Sequence, residues 1–212
     1  MEEKHYILHI ETAPKPTAEL AASAPVFRAA SNLKDPVKIA EDIEKKKNKY
    51  FEEAAFNEAT GSICAIGLLG TKDNCIKKLS ALDSTEEEML RCLFEHINGH
   101  CTVSFRGLRF VYPFICRRAA IYDNMNFFTG RFYKYYSGKV EDEAHIDIAQ
   151  IWACGSISHP ERLEEITGVL GLKYEPSNVP YHKLITDGRT QEADAFLTHT
   201  LDTINAIWKK LG

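Results

Sequence analysis

The 212-residue chain lacks most of the features that would mark a specialised class. Its six cysteines, at positions 64, 75, 92, 101, 116 and 154, contain no C-x-x-C pair, which argues against a zinc ribbon and a thioredoxin-like motif. They are expected to be mostly buried thiols. No run approaches the roughly 18 consecutive apolar residues that a bilayer span needs. The N-terminal Met1-Glu2-Glu3-Lys4-His5 is acidic where a signal peptide is basic, so a cytoplasmic location without a membrane partner is expected. Net positive charge is missing as well. A formal charge of −4 and a pI near 6.1 give no global attraction to polyanions, so nucleic-acid binding needs a local basic patch. There is neither an internal repeat nor a linker, and one domain spanning residues 1–212 is expected. The 44% hydrophobic and 26% charged composition is that of an ordinary globular core.

What is present is an alternation of strands and helices. Tyr6 to Ile10 reads as a buried strand that ends at Glu11-Thr12, before Pro14 and Pro16. From Asp35-Pro36 to about Phe56, helical spacing among many charges predicts a long solvated helix. Its Lys45-Lys46-Lys47-Asn48-Lys49 run is nearly cancelled by neighbouring acids. Ser62 to Leu69 is a buried strand, with Asn74 to Leu79 as its hairpin partner. Ser84-Thr85-Glu86-Glu87-Glu88 caps a helix running to about Asn98-Gly99. Thr102 to Phe105 predicts a strand, Pro113 opens a helix, and His145 to Ile148 predicts another strand. Helices follow at Pro160 to Val169, capped near Gly171, and at Glu192 to Leu211. This order predicts an α/β fold, a mixed sheet with helices on its faces.

Three short segments carry a resemblance. His9-Ile10-Glu11-Thr12 is similar to the Asp-Ile-Glu-Thr motif that ends the first strand of DEDD-type 3′–5′ exonucleases. Residues 104–115, from Ser104-Phe105-Arg106-Gly107 through Phe110-Val111 to Phe114-Ile115, resemble the second motif of that family. The stretch from Ala193 to Thr203 is similar to the third. Lys38-Ile39-Ala40, the strand at Thr60 to Gly67 and His145-Ile146-Asp147-Ile148 add to the likeness, which points to the predicted exonucleases related to the proofreading domain of family B DNA polymerases. The resemblance implies a ribonuclease-H-like mixed sheet with helices on both faces.

The resemblance also shows what has changed. His9 stands for the first aspartate, Val111 for the metal-binding aspartate of the second motif, Ala195 for the tyrosine and His199 for the aspartate of the third, so of the four family acids only Glu11 is kept. Two cations held roughly 3.5–4 Å apart need several carboxylates around them, and magnesium prefers oxygen ligands. The ordinary two-metal nuclease reaction is therefore expected to be impaired or lost, with Asp194 and Asp202 as neighbouring acids on the helix of His199. Two readings remain for the substituted site. In one, His9, Glu11 and His199 converge as a rebuilt catalytic site for a single divalent metal, manganese, zinc or magnesium. In the other, the histidines hydrogen-bond each other, Glu11 or water in a pocket freed from catalysis.

Between Asn98 and Lys139 lie seven Lys or Arg residues (Arg106, Arg109, Arg117, Arg118, Arg131, Lys134 and Lys139) against one acid, Asp123, together with eleven of the 22 aromatic residues. Arginine interleaved with rings is the composition of a groove for single-stranded DNA or RNA, with Arg106, Arg109, Arg117, Arg118 and Phe110 as candidate contacts. The competing reading has Phe105, Phe110 and Phe114 in the core, and Phe127-Phe128 and Tyr135-Tyr136 packing a loop. Three functions follow: a nucleic-acid-binding relative of the exonucleases, an active phosphodiesterase with a rebuilt metal site, or a non-catalytic protein-interaction scaffold.

Overall fold

The structure, a computed structural model, describes residues 5–122, 145–154 and 162–211. Asp123, Arg131, Lys134, Lys139, the Phe127-Phe128 and Tyr135-Tyr136 pairs and the expected helix start at Pro160 lie outside the described residues. The chain divides into two compact units, residues 1–11 with 63–212 and residues 12–62.

The larger unit is built on a five-stranded sheet. Strand β1 (His5–Pro14) continues past the expected end at Ile10 as far as the first proline, the residue that cannot donate to a ladder. Around it the strand order is β3-β2-β1-β4-β5, with β2 at Gly61–Gly70, β3 at Ile76–Ser80, β4 at Cys101–Ser104 and β5 at His145–Asp147. β4 is parallel to β1, pairing His5 with Cys101, and β5 is parallel to β4, pairing Thr102 with His145. β3 runs antiparallel to β2 as the expected hairpin, pairing Ile66 with Leu79. The sheet is thus mixed, in the ribonuclease-H-like arrangement.

Alternation along β1 sends its residues to two different cores. Leu8 and Ile10 join Ile66 and Leu68 of β2 against helix α3 (Glu86–Ile97) and helix α4 (Tyr112–Ile121), where Met89, Leu90, Leu93, Phe114 and Ile115 are buried. Ile7 turns the other way, with Leu69 and Val103, toward the remaining helices of this unit. Those helices are α5 (Ile148–Ala153), α6 (Leu163–Leu170), α7 (Tyr181–Thr186) and α8 (Thr190–Leu211). Helices therefore cover both faces. α3 begins with a complete capping box: the Thr85 side chain accepts from the Glu88 N–H, and the Glu88 carboxylate accepts from the Thr85 N–H at 2.8 Å. α6 ends at Gly171, whose φ of 64° lies in the left-handed region that glycine enters without cost.

In the smaller unit, helix α1 (Thr17–Ser23) precedes helix α2 (Pro36–Glu52). The Asp35 carboxylate accepts from the Val37 N–H at 2.9 Å and starts α2, and none of its residues is buried, as its balanced charges predict. Helices α1, α5 and α7 have no counterpart in the sequence expectation. Each is seven residues or fewer, too short for a 3.6-residue period to emerge. α5 begins inside the expected strand because the Asp147 side chain accepts from the Ala149 N–H at 3.0 Å and caps a new helix there.

The cysteine expectation is corrected. Cys64 and Cys101 are buried, Cys92 and Cys116 half-buried, and Cys75 and Cys154 exposed. Among the described residues, no helix is long and apolar enough to cross a membrane.

Candidate functional site

β1 places His9 and Glu11 two residues apart and so on one face, the face of Ile7 and therefore of α8. They meet directly, with His9 Nε2 and Glu11 Oε1 2.7 Å apart and both side chains about one-fifth exposed. His9 thus hydrogen-bonds Glu11.

His199 does something else. Its ring stacks on Tyr174, with centroids 5.4 Å apart and planes 14° from parallel, and its Nε2 accepts the Glu175 backbone N–H at 3.4 Å. An Nε2 that accepts a hydrogen bond places the neutral ring's proton on Nδ1. Among the described residues, no three His, Cys, Asp or Glu side chains are grouped closely enough to hold a metal ion. The structure brings His9 to Glu11 and does not complete the set with His199.

Val111 is 2% exposed, packed in the apolar cluster with Leu8, Ile10 and the α3 and α4 side chains. It ends a single π turn (Gly107–Val111) that follows Arg106 in the left-handed conformation, φ 56°. Position 111, where the resemblance implies a metal-binding aspartate, is part of the hydrophobic core. Neither neighbouring acid replaces it: Asp194 is exposed and paired with Lys78 at 2.6 Å, and Asp202 is exposed on α8. The residues present do not fit a two-cation centre, whose charge one carboxylate and two imidazoles cannot balance.

Asp147 is a buried acid with a structural task. One oxygen accepts from the Leu108 N–H and the other from the Ala149 N–H, each at 3.0 Å, tying β5 to the π turn. Next to it His145 is fully enclosed. Its Nδ1 lies 3.2 Å from the Thr102 hydroxyl, its Nε2 3.4 Å from the Ser104 hydroxyl, and Tyr112 meets it edge-on at 4.2 Å and hydrogen-bonds Thr102. Burial holds the imidazole down at about 3, so it is neutral. Gly107 makes the enclosure possible, because a Cβ there would overlap the His145 ring and the Ser104 hydroxyl.

The five candidate contacts of the basic segment separate. Arg109 and Arg117 are exposed and Arg106 is half-buried. Arg118 is not a surface cation: it is 6% exposed and forks onto Glu86, itself 8% exposed, with Nε to Oε1 at 2.9 Å and Nη2 to Oε2 at 2.5 Å. Glu86 also accepts from the Tyr122 hydroxyl and from the Ile63 N–H. The guanidinium is spent on holding α4 to α3 and cannot also reach a phosphate. Phe110 lies against Phe114, centroids 5.5 Å apart, and against the core cluster.

The neighbourhood of Glu11 contains groups the sequence does not flag. Its charge acts on the buried Cys64 thiol, which burial pushes up to about 12, and on the hydroxyls of Tyr174 and Tyr181, both raised chiefly by burial. Two pockets of about 490 Å³ flank α7. One is lined by Lys173, Glu175, Phe196 and His199, the other by Lys78, Ser80, Tyr181 and Asp194.

With this geometry in place, a relative in the structural sense emerges. A family B DNA polymerase shares this fold. That enzyme, from the hyperthermophilic archaeon Pyrobaculum calidifontis, superposes on 98% of the chain with a TM-score of 0.56 and 12% sequence identity, and the chain spans 24% of the polymerase's length. No protein-family model and no curated protein sequence matches the chain. A likeness at 12% identity carries the fold and no activity.

Proposed function

We propose that this protein is a nucleic-acid-binding relative of the 3′–5′ exonucleases in which the two-metal nuclease reaction is impaired or lost. The observation that carries the reading is Val111. A metal-binding carboxylate is replaced by an apolar side chain, 2% exposed, among core residues. Glu11 is left as the one family acid, bound to His9, and His199 is engaged by Tyr174 and Glu175. Binding of single-stranded DNA or RNA is supported by the fold shared with a DNA polymerase and by the arginines on the π turn and α4, Arg109 and Arg117 being exposed.

The test incubates the full chain with end-labelled single-stranded DNA and RNA, separately with magnesium, manganese and zinc, beside a Glu11→Ala variant. The expected result is binding that weakens with salt and no shortening of the label. Digestion abolished by Glu11→Ala refutes the loss of activity. Absence of both digestion and salt-dependent binding removes the nucleic-acid reading and leaves the scaffold.

A further inference from the structure

A lysine and a histidine meet where the β2–β3 hairpin faces α3. Alternation along β3 sends Lys77 the same way as Leu79, which packs on the cluster that includes α3, while Ile76 and Lys78 turn toward α8. Lys77 Nζ lies 2.8 Å from His96 Nε2, and His96 Nδ1 lies 2.8 Å from the carbonyl oxygen of Cys92, one turn back in α3. Both residues are half-buried, and β3 is an edge strand of the sheet.

These two contacts fix the protons. A carbonyl oxygen only accepts, so Nδ1 carries the hydrogen of the neutral ring, and Nε2 presents its lone pair to the ammonium, which only donates. A nucleophile thus stands within hydrogen-bond reach of a base that a third group orients. Cys92 is the competing nucleophile, with Sγ 3.8 Å from Nδ1, but that nitrogen already holds a hydrogen and cannot take the thiol's. Other lysines meet carboxylates: Lys46 pairs with Asp42, Lys49 with Glu53, and Lys78 with Asp194 at 2.6 Å. A carboxylate holds an ammonium in its charged form, whereas an imidazole is the stronger base and can accept its proton.

We infer that Lys77 is a nucleophilic lysine with His96 as its base, and that it accepts an acyl group from a thioester. His96 Nε2 takes one proton from the ammonium, and the freed amine attacks the thioester carbonyl. The C–N bond forms and the C–S bond breaks. The sulfur leaves with the electron pair and takes the proton held by His96, while the nitrogen loses its second proton to water. The products are an amide on Lys77 and a free thiol, with His96 neutral again. A thioester fits because a thiol has a pKa of about 8.5, so its thiolate leaves readily and the step asks the protein for a base alone. Acylation removes one positive charge at the contact between β3 and α3. None of this requires nucleic-acid binding.

The test treats the full chain with a small acetyl thioester, S-acetyl-N-acetylcysteamine, and reads the initial rate of acetylation at Lys72, Lys77, Lys78 and Cys92 by mass spectrometry. The unmodified protein is compared with His96→Gln, which keeps an acceptor beside Nζ and removes the base. Lys72 is exposed and Lys78 is paired with Asp194, so the two serve as internal references. In the unmodified protein Lys77 is expected to react ahead of both, although it is less exposed than Lys72. His96→Gln is expected to slow Lys77 about 100-fold, the lower end of what a general base contributes, and to leave Lys72 and Lys78 unchanged. A Lys77 rate no higher than that of Lys72 overturns the inference. So does a Lys77 rate retained in His96→Gln, or acetyl found on Cys92 in place of Lys77. Thermal unfolding reports whether the variant is folded; if it is not, the ranking of Lys77 against Lys72 and Lys78 in the unmodified protein decides alone.

Discussion

His145 makes the stability of this protein dependent on pH below about 6.5. Enclosed by Thr102, Ser104, Tyr112 and Gly107, it has a folded-state value of about 3 against 6.5 for a free imidazole, and burial is the main cause. The folded state thus refuses a proton that the unfolded chain accepts. Its contribution is complete above the unfolded value and is lost as pH falls from about 6.5 toward 3. Each unit of separation is worth about 1.4 kcal/mol, so the loss reaches roughly 2 kcal/mol by about pH 5 and about 5 kcal/mol at its limit. Urea unfolding at intervals between about pH 7.5 and 5 measures the slope, and a His145→Gln variant supplies the reference because glutamine does not titrate. The variant is expected to be less stable at neutral pH and to lose little further on acidification. Parallel pH dependences for the two proteins would refute the reasoning, since acid loss would then come from other groups.

The remaining predictions concern packing, charge and the altered site. Glu86→Ala should cost about 3–5 kcal/mol in chemical unfolding, because it leaves Arg118 buried without its counter-charge and removes the acceptor of Tyr122 and the Ile63 N–H; Glu86→Gln, which keeps an acceptor, should cost less. Gly107→Ala should destabilise by roughly 1–3 kcal/mol, since the added methyl has to displace the His145 ring or the Ser104 hydroxyl, and thermal unfolding checks it. Arg109→Glu with Arg117→Glu should weaken binding of a labelled single-stranded oligonucleotide and reduce the steepness of its salt dependence by about two phosphate contacts, whereas an unchanged slope moves the binding surface elsewhere. Val111→Asp should destabilise by about 3–5 kcal/mol without restoring magnesium-dependent digestion, because the new carboxylate enters the cluster of Leu8, Ile10 and Phe114 with no partner; digestion by that variant would show that the site needs only this one acid.

What could be read from the sequence was whatever neighbours along the chain decide. The apolar run of β2, the hairpin with β3 and the Thr85–Glu88 box at the start of α3 depend on residues a few positions apart, and each stands close to its expected place. The His9–Glu11 contact belongs to the same class, two residues on one face of a strand. Arg118 was misleading because its partner, Glu86, lies 32 positions earlier, so a buried ion pair looked like a surface cation among aromatic rings. Tyr174 carried no signal at all. It sits in an irregular segment, and only the return of α8 brings His199 to it. His145 is legible as a strand residue, but its enclosure depends on β4 and on the turn at Gly107, 38 residues before it in the chain.

The candidate site residues Val111, His199 and Glu11 are therefore held in different ways. Val111 is held by packing, so an aspartate there must find a counter-charge or remain protonated. His199 is held by Tyr174 and Glu175; an aspartate in its place could still accept the Glu175 N–H but would forfeit the ring stack. Both side chains have structural partners, so an aspartate at either position is expected to cost stability. Glu11 is the contrast. It hydrogen-bonds His9, and its carboxylate is about one-fifth exposed. A part-exposed carboxylate held beside an imidazole is the feature of the candidate site that packing explains least, and it is there that a function should be sought.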